Sequence, residues 1–182
     1  MALKATIFRA DLSISDMARN YYHDHSVTIA RHPSENDERM MVRLLAFALH
    51  ADDALVFGDK IGNEDEPDLW SKDPTGAIDL WIDVGQPEEK QVRKACGKAR
   101  QVAVYAYSGH AVPVWWSQAR SGLERLRNLT VVSLPPEAVT ELATLAQRTM
   151  ALQCTIQDGQ VWVTGGSRTV QIELRTLMRP AW

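Results

Sequence analysis

Apolar and polar residues alternate through residues 3–14 and again through 21–31. Both stretches are rich in β-branched and aromatic side chains, and polar residues Ser15 to Asn20 separate them. A period of two on either side of a polar break predicts an opening β-hairpin. The period then changes. From Met40 to Leu49 the chain is apolar almost all round, which predicts a helix lying against a sheet with little contact to solvent. The helix is expected to start at His32-Pro33-Ser34 and run to about Ala51, with Ser34 as its N-cap and Asp37 as the third residue of a capping box. Glu35 and Glu38 would then complement the positive end of the helix dipole.

Leu55 to Phe57 predicts a short strand, and Asp59 to Glu66 is a polar loop marked by Gly62 and Asn63. Pro67 forces extended geometry on its neighbourhood, so Pro67 to Trp70 reads as another extended piece before a turn at Ser71 to Gly76. Ile78 to Val84 is the strongest strand signal in the chain. Pro87, with Glu88 and Glu89 beside it, opens a helix buried along Val92, Ala95, Cys96 and Ala99 and ending near Arg100. A strand at Val102 to Tyr107 completes a βαβ unit. Trp115 to Leu126 predicts a helix, Leu129 to Leu134 a strand, and Glu137 to Gln147 a helix introduced by Pro135-Pro136. Strands at Leu152 to Ile156, Gln160 to Thr164 and Thr169 to Leu174 follow, turning at Asp158-Gly159 and Gly165-Gly166. With no repeat, low-complexity tract or linker, the expectation is a single domain over 1–182. Its class is α/β, one mixed sheet flanked by helices, with an N-terminal hairpin and C-terminal antiparallel strands.

Composition adds three constraints. The only cysteines, Cys96 and Cys154, lack CxxC or Cys/His spacing, which points to reduced thiols rather than a zinc site or a disulfide framework. No apolar run approaches the ~20 residues of a membrane span, and Met1 leads directly into a charged alternating stretch, so a cytoplasmic protein is expected. The net charge of −3 hides an asymmetry: residues 1–89 carry −10 and residues 90–127 carry +7. A basic segment of that kind suits a nucleic-acid backbone, while the plainer reading is a solvated helix face.

The chemistry-bearing residues are carboxylates. On the 78–84 strand, Asp79, Trp81, Asp83 and Gly85 share one face while Ile78, Leu80, Ile82 and Val84 fill the other. Asp83 therefore stands at the carboxyl end of a strand, where open α/β sheets form crevices. Asp68 precedes it by fifteen residues through a turn, a spacing that lets neighbouring strands bring both carboxylates to one end. Asp79 lies about 13 Å from Asp83 at ~3.3 Å per residue and reads as an exposed strand acid. Glu35 is left outside the site. His23 and His25 form an HxH pair without a third ligand nearby, and Ser108, Ser117 and Ser167 lack a nucleophile elbow. Trp115 and Trp116, beside the basic stretch, have the composition of a base-stacking platform, but consecutive helix residues point in different directions, so at least one of them reads as core.

Several segments together resemble one family. Ala30 to Glu35 with Glu38 to Met41, Asp65 to Asp68 with Trp70, and Ile78 to Pro87 carry the resemblance. So do Lys94 to Cys96, Arg148 to Met150 and Ile156 to Gly159. Over essentially its whole length the chain resembles the YaeQ family, whose fold is similar to the PD-(D/E)xK nuclease core. The resemblance implies divalent-metal ligands at Glu38, Asp68 and Asp83, with Mg²⁺ or Mn²⁺ as the hard cation such oxygens prefer. The lysine of that motif, which assists the attacking water, falls on Gly85. Lys90 and Lys94, one turn apart on the following helix, are the expected substitutes. Metal-dependent hydrolysis of a nucleic-acid phosphodiester is thus one expectation. A catalytically inactive nuclease-fold protein that binds nucleic acid or a protein partner is the alternative, and Gly85 favours it.

Overall fold

A computed structural model describes residues 4–180 of the chain. The α/β class is as expected, but the strands divide between two mixed sheets instead of forming one. Each sheet belongs to its own compact unit. The first unit combines the segment up to Leu49 with Pro135–Leu174, and the second combines His50–Leu134 with the segment from Arg175 onward. Alternation along a strand says which face is buried but not which strand lies beside it, and this is why the division escapes a reading of the sequence.

In the first unit, β1 (Thr6–Asp16) and β2 (Tyr21–Arg31) form the hairpin, in register from Thr6↔Arg31 to Asp16↔Tyr21. Phe8, Ala10, Leu12 and Ile14 point into the core. The buried Asp16 carboxylate holds the turn by accepting from the N–H groups of Ala18 and Arg19. β1 then pairs in parallel with β8 (Thr149–Gln157), which continues through β9 (Gln160–Gly165) to β10 (Arg168–Glu173), giving the order β10-β9-β8-β1-β2.

Helix α1 (Asp37–His50) buries every residue from Met40 to Ala48. Its start corrects the expected cap. Asn36 Oδ1 accepts from the N–H of Arg39 at 2.9 Å, so Asn36 and not Ser34 is the N-cap. Ser34 instead bonds His32, its N–H donating to Nδ1 at 3.1 Å. The reason lies in Glu35, which is buried and grips Arg43 through both oxygens while accepting from Arg39 at 2.7 Å. A residue inside the first turn would project along the helix. Here Glu35 precedes it and turns inward as the counter-charge of a buried arginine. Helix α4 (Pro136–Ala143) completes the unit.

The second unit carries β3 (Val56–Phe57), β4 (Leu69–Lys72), β5 (Ile78–Val84), α2 (Glu89–Lys98) and β6 (Ala99–Ala106). After them come α3 (Ala111–Leu123), β7 (Leu129–Ser133) and β11 (Arg175–Met178), a strand absent from the expectations above. The order is β11-β7-β6-β5-β4-β3, with β5, β6 and β7 parallel, so the predicted βαβ unit is present. Helix α2 stops two residues before the expected Arg100. The Asn128 amide donates to the carbonyls of Cys96 and Ala99, satisfying the helix end there and releasing Ala99 into β6. Helix α3 begins four residues before the expected Trp115, because Pro113 falls in its first turn, where a missing N–H costs nothing. Trp115 and Trp116, both half-buried, pack against the core formed by Trp81, Val92, Leu123 and Leu129, and Trp115 Nε1 donates to Pro87 O at 2.7 Å. No helix among the described residues is long and apolar enough to cross a membrane.

Candidate active site

β4 and β5 run antiparallel with Trp70↔Trp81 and Leu69↔Ile82 in register. Asp83 follows Ile82 on β5 and Asp68 immediately precedes β4, so both acids stand at this end of the two strands. Each is 1% exposed. β4 begins only at Leu69, so Val84 at the end of β5 has no strand backbone opposite it. The Asp68 side chain fills that place, its Oδ2 accepting from the Val84 N–H at 2.9 Å. The main chain of Asp68 is fixed on both sides as well. Its N–H donates to Ile82 O at 3.0 Å and its carbonyl accepts from Gly58 at 2.9 Å. A Cβ on Gly58 would lie 2.3 Å from Pro67 O, so the β3–β4 approach that seats Asp68 requires glycine at that position.

Asp83 Oδ2 accepts from Trp81 Nε1 at 3.1 Å and faces Lys60 Nζ at 3.5 Å. Its other oxygen, Oδ1, is buried and has no hydrogen-bond partner among the described residues. Burial pushes the Asp83 carboxyl above its ordinary range; Lys60 pulls it back, and Asp68 adds to the rise. A buried acid beside a second acid, with one oxygen unused, is a feature that structural packing alone does not produce cheaply.

The remaining candidates fall as follows. Glu38 lies in the first turn of α1, half-buried, within the first unit. Lys90 is exposed on α2. Lys94 pairs with Asp65 at 3.2 Å, both side chains well exposed. Lys60, a residue of the polar 59–66 loop with no motif to mark it, is the lysine whose ammonium meets Asp83. Nothing in its spacing marks it, because the loop brings it in by folding back. Gly85, at the position of the motif lysine, adopts φ +97°, a conformation that L side chains rarely take. Asp79 is not idle either, since Arg100 bonds both it and Asp73.

Part of the basic surplus of 90–127 is thereby matched in space. Arg93 faces Glu89, Lys94 faces Asp65, Arg100 faces Asp73 and Asp79, and Arg120 faces Glu124. Neither unit contains, among its described residues, three or more His, Cys, Asp or Glu side chains grouped to hold a metal ion. The Asp68–Asp83 pair nonetheless suits a hard divalent cation, which commonly takes one or two carboxylates and completes its shell with water. The unpartnered Oδ1 is the oxygen available to it.

The family model described as "YaeQ protein" matches residues 1–174. The chain is 42% identical to the YaeQ protein of Salmonella typhi and 41% identical to that of Escherichia coli strain K12, in both cases over 181 residues and 100% of each chain. It is similar to the crystal structure of the YaeQ protein from Xanthomonas axonopodis pv. citri, with a TM-score of 0.94 and 50% identity over 97% of this chain and 99% of that one. Against the crystal structure of the YaeQ protein from Pseudomonas syringae the TM-score is 0.92, with 31% identity over 96% and 97%. The chain belongs to the YaeQ family.

Proposed function

We propose that Asp68, Asp83 and Lys60 form a nuclease-like site for metal-dependent hydrolysis of nucleic-acid phosphodiesters, on a fold resembling the PD-(D/E)xK core. The observation that carries the reading is the buried, unpartnered Oδ1 of Asp83 beside Asp68, with a lysine ammonium 3.5 Å from the other oxygen. Mg²⁺ or Mn²⁺ bound there would polarise the phosphate and acidify a bound water. Asp68 and Asp83 would hold the cation. Lys60 takes the place of the motif lysine, orienting the attacking water and offsetting negative charge as it develops. Lys90 and Lys94 serve with the 90–127 segment as phosphate contacts. Burial pushes the thiols of Cys96 and Cys154 up to about 11 and about 12, which leaves neither suited as a nucleophile. Two reduced, unreactive thiols fit a cytoplasmic protein. The test is cleavage: purified protein with Mn²⁺ nicks DNA or RNA, and Asp83→Asn abolishes it. Equal cutting by that variant refutes the assignment.

A second reading is favoured by the Lys60–Asp83 contact, because an ammonium already offsets the charge that would call for a cation. The protein would then be a non-catalytic relative that binds nucleic acid or a protein partner. Nucleic-acid or protein binding without cleavage of any substrate selects it.

A further inference from the structure

A small cavity of about 70 Å³ opens between the 59–66 loop and α2, lined by Lys60, Lys94 and Lys98 together with Trp81, Glu64 and Asp65. Two of these side chains, Lys60 and Trp81, also contact Asp83 Oδ2. The cavity is far below the ~300 Å³ at which pockets begin to hold drug-sized ligands, so no base or sugar fits inside it. It has room for a few ordered waters or one tetrahedral oxyanion in their place. Its lining carries three lysines against two acids, Glu64 and Asp65, a net positive charge that favours an anion.

The chain itself supplies a stand-in. The Asp65 carboxylate lies 3.2 Å from Lys94 Nζ, and Lys94 and then Lys98 hold its carboxyl below the ordinary range. The loop that presents it is braced internally: Asn63 N–H donates to Asp59 O, Glu66 N–H to Asn63 O, and Asp65 N–H to Asn63 Oδ1. Lys98 Nζ sits 5.8 Å from the centroid of the Trp81 ring, which anchors that lysine over the aromatic wall.

We propose that the Lys60–Lys94–Lys98 cavity is a phosphate subsite beside Asp83, and that substrate phosphate displaces the Asp65 carboxylate from Lys94. Phosphate as the ligand rests on the proposed phosphodiester chemistry; selection of a small oxyanion rests on the cavity alone. The subsite would grip a phosphate next to the one being cleaved and fix the strand's register at the carboxylates.

The experiment is calorimetric titration of metal-free protein with inorganic phosphate at constant ionic strength. Saturable binding is expected, about tenfold weaker in Lys98→Met, which keeps the stem but loses the charge, and severalfold tighter in Asp65→Asn, which frees Lys94. No saturable binding, or the same affinity in all three proteins, overturns the proposal. Short DNA with a 5′-phosphate and its 5′-hydroxyl twin then compete with the bound phosphate. Displacement by the first alone assigns a terminal phosphate, displacement by both assigns a backbone phosphate, and displacement by neither overturns a substrate role. Because these titrations contain no metal, loss of Mn²⁺-dependent cleavage with phosphate binding intact would remove the proposed hydrolysis and leave the cavity's role standing.

Discussion

Replacing Lys60 by Met keeps most of the side-chain stem and removes only the ammonium that faces Asp83. At 3.5 Å and an effective dielectric near 20, that pair interacts by about 5 kcal/mol. The lysine side chain is 15% exposed and Asp83 2%, so part of this is offset by the desolvation that Met no longer incurs. A net loss of about 2–3 kcal/mol at pH 7 is expected. The sign with pH follows from the raised carboxyl. An acid whose folded value lies above its unfolded 3.8 burdens the fold only when ionised. That burden is absent below the unfolded value, grows as pH rises through it, and is complete above the folded value. Lys60→Met lifts the folded value further, so its deficit shrinks as pH falls from 7 towards 4 and Asp83 takes up a proton. Urea unfolding at both pH values measures this. Asp83→Asn in the Lys60→Met background should restore most of the loss at pH 7. A deficit below about 0.5 kcal/mol, one independent of pH, or one that Asp83→Asn does not relieve would refute the electrostatic reading.

Three further outcomes follow from the geometry. Gly58→Ala should cost about 2–3 kcal/mol in urea unfolding, because its Cβ meets the Pro67 carbonyl; unchanged stability would mean the β3–β4 approach is slack. Gly85→Lys, which restores the motif lysine in name, should lose about 1–2 kcal/mol to the φ +97° backbone although a Cβ there meets open space. Stability equal to the parent would contradict that. Glu35→Gln leaves the buried Arg43 without its counter-charge and should cost about 3 kcal/mol in chemical unfolding, where a surface acid would cost a few tenths.

The local elements were largely legible in the sequence. The alternation in Ile78 to Val84 and the fifteen residues between Asp68 and Asp83 are enough to place two acids at the same end of adjacent strands, and β4 and β5 are found there. What the pattern does not contain is partnership across distance. Nothing in residues 6–16 says that β8, more than 130 residues on, lies parallel beside them, and β11 is too short to announce itself. The helix cap was misplaced because two oxygen-bearing residues, Ser34 and Asn36, both suit the role. Only the buried arginine eight residues beyond Glu35 decides between them. Lys60 was missed for a related reason: a lysine in a polar loop looks solvated until the loop's own hydrogen bonds turn it inward. In the sequence, Gly85 marks the loss of a functional group. Its backbone conformation adds a physical reason for the glycine.

Binding of a divalent cation by the Asp68–Asp83 pair can be read from thermal unfolding of the metal-free protein across a Mn²⁺ titration. A ligand that binds only the folded state stabilises it by about 2.7 kcal/mol at a hundred times its Kd. A saturable rise in Tm is expected for the parent chain and none for Asp83→Asn. A flat titration, or the same rise in both proteins, would contradict it.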